Sequence, residues 1–285
     1  MKVEILGSGG ATTTPRPGCT CPVCVEARAK GLPYTRTGPS IFVHGPNVLF
    51  DTPEESKAQL DRAGLQEIAA CFYSHWHPDH TMGRRVWETR NGLFRAWPRK
   101  VQDTTSIYLP AQVAADFRVR LGGWEHLTFM EERGWIDVHE LADGETVLLH
   151  GVEVRPFRLA EDYVYAFELR GGRKRLLVAP DELKGWRPPA ELQGLDLAVL
   201  PMGVCEHDPF TGERRIHADH PVLQFEATFA ETLRIVDELG AKRTLLAHIE
   251  EMDGLSFDDL LRLEAKLRAE GRNVAFAHDT LVVGV

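Results

Sequence analysis

Apolar runs separated by Gly, Pro and Asp divide the chain into short strands and longer helices. Short apolar runs between turn residues indicate buried strands, and apolar residues three or four apart indicate helices that bury one face. The predicted strands are Lys2–Leu6, Ser40–Val43, Val48–Asp51, Ile68–Tyr73, Ser106–Leu109, Glu145–Leu149, Val152–Leu159, Tyr163–Leu169, Lys174–Val178, Asp196–Pro201, Arg243–Ala247, Val274–Phe276 and Leu281–Val285. The predicted helices are Val23–Lys30, Glu54–Ala63, Thr81–Glu88, Ala111–Leu121, Glu226–Leu239 and Phe257–Ala269.

The segment S-H-W-H-P-D-H-T-M-G follows the predicted strand that ends at Tyr73. Its potential metal ligands are His75, His77, Asp79 and His80. Because the segment lies on a strand-to-helix turn, several of these side chains can converge on one point. Imidazole and carboxylate together suit zinc, manganese or iron. A polar loop that is merely rich in histidine is the competing interpretation, but the H-x-H-x-D-H spacing favours a metal site.

A second group of metal-binding residue types lies near the start of the chain. Cys19, Cys21 and Cys24 form a C-x-C-x2-C cluster that runs into the predicted helix Val23–Lys30. Thiolates at this spacing can bind one zinc ion, which needs four ligands. Since the chain has five Cys, an odd number, metal binding or free thiols in a surface loop are favoured over a disulfide framework.

Composition adds limits to these interpretations. The 285 residues are 43% hydrophobic, which suits a globular protein with a sizeable core and no linker-like break. The net charge of −9 argues against general nucleic-acid binding, although Arg214, Arg215 and His217 permit a local basic groove. The start M-K-V-E-I-L-G lacks the apolar core of a signal peptide, and no apolar run approaches the roughly 20 residues of a membrane span. We therefore expect a cytoplasmic protein that does not bind membranes.

The H-x-H-x-D-H motif after an apolar strand resembles the metallo-β-lactamase superfamily. This resemblance implies an α+β fold, a four-layer αββα sandwich, with a dinuclear metal site at one edge. Residues 1–285 would then form one domain, with a small zinc-binding loop at about 19–30. The superfamily includes lactamases, glyoxalases, ribonucleases, phosphodiesterases and lactonases, so the motif indicates the scaffold more securely than the substrate.

Three further motifs resemble one branch of that superfamily, the cyclic phosphodiesterase of phosphonate breakdown. They are G-S-G-G at 7–10, the cysteine cluster, and Arg36-Thr37 with Ser40. In that branch the three Cys share a structural zinc with a His, and Glu251 occupies the corresponding position here. The resemblance therefore implies one structural zinc, with Glu251 as its candidate fourth ligand.

The resemblance also implies the remaining ligands of the active site. Asp181 matches the carboxylate that bridges two metals, and His248 matches the last metal-binding His. Asp51 matches a residue that orients the motif loop, although capping of the following helix is an alternative role. One metal position would use Asp79, His80, Asp181 and His248, and the other would use His75, His77 and Asp181.

One expected ligand has no match in this chain. The superfamily places another His on the loop that follows a strand like Val152–Leu159. The corresponding segment here, 158–163, contains no His. Glu161 or Asp162 are candidates to replace it, and a carboxylate there would favour manganese or iron. The alternatives are two divalent metals, zinc or manganese, or a single metal at the site.

The resemblance implies a metal-dependent hydrolase, and a phosphodiesterase that uses a metal-bound hydroxide is the favoured activity. The expected substrate is a small or cyclic phosphodiester, with Asp79 in the catalytic centre. His217 or His220 would protonate the leaving group, unless both are surface residues of a loop. A lactone or thioester hydrolase and an RNA 3′-end nuclease are rival enzymes, and a non-catalytic relative of the quinone-cofactor biosynthesis type is the rival outside enzymes. Nothing in the composition requires or forbids a homodimer.

Two other segments carry structural expectations. Arg90–Asp103 is rich in Arg, Trp and Pro and is predicted to form a loop over the site. His278 and Asp279 lie between two predicted strands and are expected to be turn residues.

Overall fold

Two seven-stranded sheets form the centre of the computed structural model, which describes residues 1–98 and 100–285. The strands are β1 (Lys2–Gly7), β2 (Ser40–His44), β3 (Val48–Phe50), β4 (Ala70–Phe72), β5 (Gly92–Leu93), β6 (Lys100–Val101), β7 (Thr105–Pro110), β8 (Ile136–Leu141), β9 (Val147–Leu149), β10 (Val152–Arg158), β11 (Tyr165–Gly171), β12 (Lys174–Val178), β13 (Leu197–Pro201), β14 (Thr244–Ala247), β15 (Val274–Phe276) and β16 (Val282–Gly284).

The helices surround these sheets. They are α1 (Pro22–Lys30), α2 (Ser56–Ala63), α3 (Pro78–Thr81), α4 (Val86–Asn91), α5 (Ala111–Val119), α6 (Gly123–Glu131), α7 (Val222–Phe225), α8 (Phe229–Leu239) and α9 (Phe257–Ala269). Short 3₁₀ turns lie at Met82–Arg85, Ala190–Leu192 and Glu251–Asp253. The capping boxes of Thr228 with Glu231 and Ser256 with Asp259 fix where α8 and α9 begin. Thr228 therefore starts α8 later than the predicted Glu226.

Each sheet has an antiparallel part and a parallel part. The first sheet has the order β16-β1-β2-β3-β4-β7-β8, and its strands β3, β4, β7 and β8 are parallel. The second has the order β15-β14-β13-β12-β11-β10-β9, and its strands β12 to β15 are parallel. Parallel strands place their carboxyl ends at one edge of a sheet, so residues that follow them meet there.

The sheets pack face to face through aromatic side chains. The ring of Phe167 on β11 lies 4.9 Å from that of Phe50 and 5.5 Å from that of Phe72, on the opposing sheet. Outside the first sheet, Phe117 of α5 packs on Tyr73. Outside the second, α8 and α9 bury apolar residues such as Val236 in a separate core cluster. The predicted αββα sandwich is confirmed, while its treatment as a single domain stays a prediction.

Some elements differ from the predictions. The predicted helix Thr81–Glu88 is interrupted by the 3₁₀ turn, because Gly83 passes so close to Pro53 that a Cβ there would overlap its carbonyl oxygen. Helix α6 and strand β8 were not predicted. The Gly122-Gly123 pair at the start of this region is typical of a break between elements.

The segment Arg90–Asp103 does not contact the predicted metal ligands through any hydrogen bond or ring contact among its described residues. It forms the short β5–β6 pair, and Phe94 packs on Trp135. Together with Phe129, these side chains border a cavity of about 350 Å³. The prediction of a loop over the site is therefore wrong for the residues that the structure describes.

Asp279 is fully buried and is more than a turn residue. Its carboxylate accepts hydrogen bonds from the backbone and hydroxyl of Ser8, from Thr37, and from the Arg62 guanidinium at 3.0 Å. Asp279 thus fixes the position of the Gly7–Gly10 segment against α2. Within the part of the chain that the structure describes, no helix combines the length and apolar character that a membrane crossing requires.

Candidate metal centre

The predicted ligands of the active site come from both sheets and meet where their parallel strands end. Asp51 follows β3, and the segment Ser74–His80 follows β4 in the first sheet. Asp181 follows β12, and His248 follows β14 in the second sheet. Because the sheets pack face to face, these two edges lie side by side.

The ring nitrogens and carboxylate oxygens of this centre lie 3.3–3.6 Å apart. His80 Nε2 is 3.4 Å from His248 Nε2, 3.3 Å from Asp79 Oδ2 and 3.6 Å from Asp181 Oδ2. His248 Nε2 is 3.5 Å from oxygens of both Asp79 and Asp181. His75 Nε2 is 3.6 Å from Asp181 Oδ2. Side chains that converge at these distances can bind a common cation.

Three overlapping groups of potential ligands can be recognised at this centre. They are His75, His80 and Asp181; Asp79, His80 and His248; and His77, Asp181 and Glu182. Asp181 belongs to two of them, as a carboxylate that bridges two cations must. The buried His75 Nε2 has no hydrogen-bond partner. Since a buried imidazole nitrogen without a partner costs free energy, its lone pair is suited to a metal ion. The residues present therefore fit a divalent cation.

Burial and charge shift the ionisation of these side chains strongly. Burial lowers the pKa of His75 well below its ordinary range, and the charge of His80 adds to the effect. Burial also opposes the charge on His248, but Asp181 and Asp79 outweigh it and raise its pKa to about 10. His75 is thus held neutral, which is the form that binds a metal.

Asp51 occupies the orienting position that the resemblance implies. Its Oδ1 accepts a hydrogen bond from Ser74 N at 2.8 Å, and its Oδ2 accepts from Ser74 Oγ at 2.7 Å. Oδ2 also lies 2.7 Å from His80 Nδ1. This arrangement leaves His80 Nε2 directed at the centre, and Asp51 does not cap a helix.

Glu250 has the corresponding role for His248, and sequence reasoning missed it. Its carboxylate lies 3.6 Å from His248 Nδ1 and accepts hydrogen bonds from Ala11 N and Thr12 N at 3.0 and 2.8 Å. A Cβ on Gly10 would lie 2.6 Å from His248 Nδ1, so this position requires Gly. The two-residue spacing between His248 and Glu250 could have suggested that both face one side.

Glu182 belongs to a ligand group with His77 and Asp181, whereas the role of Glu161 as a replacement ligand stays a prediction. Glu161 belongs to none of the ligand groups among the described residues, and Asp162 is exposed. Glu182 is 5% exposed, and burial followed by the charge of Asp181 raises its pKa to about 9. Glu226 lines the same cleft, and the same two causes raise its pKa to about 7. In the sequence, the position of Glu182 directly after the predicted ligand Asp181 could have indicated its role. No motif or spacing indicates Glu226.

The two predicted proton donors lie on the surface. The His217 side chain is 79% exposed, and its Nδ1 accepts a hydrogen bond from Asp219 N. His220 is exposed as well, and its Nδ1 accepts from Val222 N. Neither ring hydrogen-bonds to a side chain of the metal centre within the described residues, and the surrounding turn occupies the Nδ1 atom of each. Their catalytic role stays a prediction that this geometry does not support.

The cysteine cluster forms a second candidate metal site. Glu251 Oε1 lies 3.4, 3.1 and 3.0 Å from the sulfurs of Cys19, Cys21 and Cys24. Tetrahedral zinc with ordinary bond lengths separates sulfur from oxygen by about 3.5 Å, so the four side chains fit it. Burial and Glu251 raise the pKa of Cys24 to about 12, and a cation is what would favour its thiolate. Arg16 lies 3.3 Å from Glu251 and offsets negative charge.

This sandwich, with imidazoles and carboxylates converging at the ends of its parallel strands, defines the metallo-β-lactamase class of metal-dependent hydrolases. The model of the β-lactamase superfamily domain matches residues 43–249, more than half of the chain. The chain belongs to this family. The resemblance inferred from the H-x-H-x-D-H motif is thereby confirmed.

Solved structures with the same fold include three that span the chain. A diphosphatase from the PhnP family has a TM-score of 0.70 and 24% identity, covering 100% of this chain and 97% of its own. The zinc-bound PqqB from Methylobacterium extorquens has a TM-score of 0.68 and 18% identity, covering 100% of both chains. Human tRNase Z, short form, has a TM-score of 0.64 and 18% identity, covering 100% of this chain and 99% of its own.

A curated protein matches a smaller part of the chain. An octanoyltransferase from Porphyromonas gingivalis is 33% identical over 86 residues, which are 29% of this chain. The chain spans 17% of the length of that relative.

Proposed function

We propose that this protein is a metal-dependent phosphodiesterase that acts on a small or cyclic phosphodiester. The observation that carries the proposal is the position of Asp181, whose carboxylate belongs to two adjoining groups of metal ligands. Cations held in these groups would make water nucleophilic and stabilise negative charge on phosphoryl oxygens. The similar structures include a diphosphatase and a tRNase Z, which supports chemistry on phosphate groups.

Side chains next to the predicted ligands orient the imidazoles of this centre. The carboxylate of Asp51 lies beside Nδ1 of His80, and that of Glu250 lies beside Nδ1 of His248. The Nε2 atoms of both rings therefore point at the centre. Such outer partners fix the ring orientation and raise the basicity of the ligand. We assign two divalent metals, zinc or manganese, to the centre and one structural zinc to Cys19, Cys21, Cys24 and Glu251.

A small substrate suits the charges around the site better than a nucleic acid does. Glu182, Glu226 and Glu250 border the cleft beside His248, and no Lys or Arg among the described residues lines it to bind the phosphates of an extended polyanion. The predicted basic groove is neutralised, since Arg214 pairs with Glu206 and Arg215 pairs with Asp208. A compact diester could reach the metals with few contacts to this acidic border.

The candidate donors of the proton for the leaving group lie in two places, on the surface loop and in the cleft. His217 and His220 are the donors implied by the resemblance, but both are exposed. Glu226 lies in the cleft itself and is the second candidate. A donor must come within hydrogen-bond reach of the leaving oxygen, which favours Glu226 on geometry.

The experiment measures hydrolysis of a chromogenic phosphodiester by protein loaded with manganese or zinc. We expect turnover by the wild type and a loss of at least about 100-fold in His77→Ala, since the variant lacks an imidazole at the centre. His139→Ala, which removes a partly exposed His on β8, is the matched control and should keep the wild-type rate. Equal rates in the wild type and His77→Ala would overturn the proposal.

A non-catalytic metal-binding role is the second candidate. PqqB matches the whole chain at a TM-score of 0.68, and neither predicted His donor contacts the metal ligands in the described residues. A lactone or thioester hydrolase remains the rival among enzymes. Metal binding without turnover of phosphodiesters, lactones or thioesters would favour the non-catalytic role. Turnover of lactones or thioesters but not of phosphodiesters would favour the rival enzyme.

A further inference from the structure

Glu182 is a buried carboxylate beside the metal centre. It follows Asp181 directly after β12 and is 5% exposed. One of its oxygens groups with potential ligand atoms of His77 and Asp181, all within 4.8 Å of one another. The side chain therefore lies on the His77 side of the centre, at the metal position that lacks its expected third imidazole.

The side chain of Glu182 has no direct polar partner in the described part of the chain. Among residues 1–98 and 100–285, no hydrogen bond or ion pair involves its side chain. Of its charged neighbours in the cleft, Asp181 and Glu226 disfavour its charged form, and His248 offsets them only in part. A buried carboxylate without a partner is unfavourable. A cation at this point would stabilise the charged form of Glu182.

The backbone at Glu182 adds an independent observation. Its φ is +53°, in the left-handed region that a residue other than Gly seldom adopts. Such conformations persist where the surrounding structure holds them, and they cluster at functional sites. Here the left-handed turn keeps Asp181 and Glu182, although adjacent in sequence, within reach of one point together with His77. His75 Nε2, buried and without a partner, lies 3.6 Å from Asp181 on the same side.

We propose that Glu182 is a protein ligand of the metal position that also uses His75, His77 and Asp181. It takes the place of the imidazole that the chain lacks, in preference to Glu161 or Asp162. This position then has two imidazoles and two carboxylates, and oxygen ligands favour harder cations. The position therefore prefers manganese or ferrous iron to zinc more strongly than an imidazole-rich site does. The inference rests on the metal centre of the proposed function but not on its phosphodiesterase reaction.

The test counts metals without measuring catalysis. Metal-depleted full-length protein is dialysed against manganese and, separately, zinc, and bound metal is determined by elemental analysis. We expect two equivalents at the centre of the wild type, besides the metal of the cysteine site. Glu182→Gln should bind one of these about 100-fold or more weakly, since loss of an outer partner alone costs about 10–100-fold. Glu161→Gln, on the neighbouring loop, is the control and should bind as the wild type does.

One further variant and one measurement on the metal-free protein distinguish loss of a ligand from loss of the fold. Glu182→His should regain the second equivalent with a selectivity shifted from manganese towards zinc. Without metal, Glu182→Gln should have the circular dichroism spectrum of the wild type, which would show that its loss of metal is the loss of a ligand and not of the fold. Two manganese equivalents held with wild-type affinity by Glu182→Gln, or a loss in Glu161→Gln instead, would overturn the inference. If the wild type itself binds no second equivalent, the dinuclear centre fails, and this outcome is distinct from a failure at Glu182 alone.

Discussion

Asp51 Oδ2 lies 2.7 Å from His80 Nδ1, and both side chains are buried. The same carboxylate binds Ser74, so it fixes the beginning and the end of the motif at one point. Because His80 belongs to two of the ligand groups, its orientation affects both metal positions.

Replacement of Asp51 by Asn should weaken metal binding. The amide can accept a hydrogen bond from Ser74, but its NH₂ group cannot accept the Nδ1 proton of His80. We expect metal affinity to fall by about 10–100-fold, as for other outer partners of metal-bound His. Asp61→Asn on the exposed surface of α2 is the control. Unchanged affinity in Asp51→Asn, measured by competition with a chelator, would contradict the assigned role.

Gly10→Ala tests the close approach of the Gly7–Gly10 segment to the centre. The added methyl would lie 2.6 Å from His248 Nδ1 and even closer to Glu250, so both side chains must move. We expect at least about tenfold weaker metal binding, since the partner that orients His248 is displaced.

Gly284→Ala is the matched control for that change, because a Cβ there meets no atom within 4 Å. Both variants should be compared by calorimetric metal titration after circular dichroism has established that each is folded. Wild-type affinity in Gly10→Ala would show that the segment does not position His248.

Cys21→Ser should remove the metal of the cysteine site and leave the active-site metals in place. Serine is a poor substitute for a thiolate that binds zinc. We expect elemental analysis to find one zinc equivalent fewer, together with a lower melting temperature, because Glu251 links this site to the turn after His248. The control Thr20→Ser should keep its zinc, and the same zinc content in Cys21→Ser would refute the site.

Glu168→Gln should destabilise the protein at neutral pH by removing a buried carboxylate that pairs with arginines. Burial alone would raise the pKa of Glu168, but hydrogen bonds from Arg170 and Arg175 outweigh it and lower the pKa. The carboxylate thus contributes stability above its ordinary pKa of 4.5, and this contribution is lost as pH falls through the lowered pKa. Since the arginines are partly exposed, we expect a loss of about 2–3 kcal/mol at pH 7.

Urea unfolding at pH 7 and at pH 3 measures this dependence. The difference between the wild type and Glu168→Gln should shrink at the lower pH, as the wild-type carboxylate becomes protonated. Glu264→Gln, which removes a surface pair with Arg268, should cost less than about 1 kcal/mol at either pH. An equal loss from Glu168→Gln at both pH values would assign it to packing instead of charge.

Sequence patterns predicted the parts of the fold that depend on local periodicity. Phe257–Ala269 and Val274–Phe276 were predicted with the bounds that the structure has, because a capping residue or turn marks each end. The site was predictable where ligands are close in the chain, as in His75–His80, or where a motif resembles the family, as at Asp181 and His248.

Contacts between distant segments were not predictable in the same way. Glu226 reaches the cleft only after the sheets pack, and no local spacing marks it as a neighbour of Asp181. Asp279 pairs with Arg62, 217 positions away in the chain, although its place between two predicted strands is typical of a turn residue. His217 was assigned by resemblance alone, and its local turn leaves it exposed.

Anomalous diffraction from crystals of the manganese-loaded protein tests the central claim most directly. The account predicts two peaks on either side of the Asp181 carboxylate, one near His77 and Glu182 and the other near Asp79 and His248. A single peak would contradict the dinuclear centre. The absence of any peak beside Asp181, with His80 and His248 still hydrogen-bonded as here, would contradict the metal centre itself.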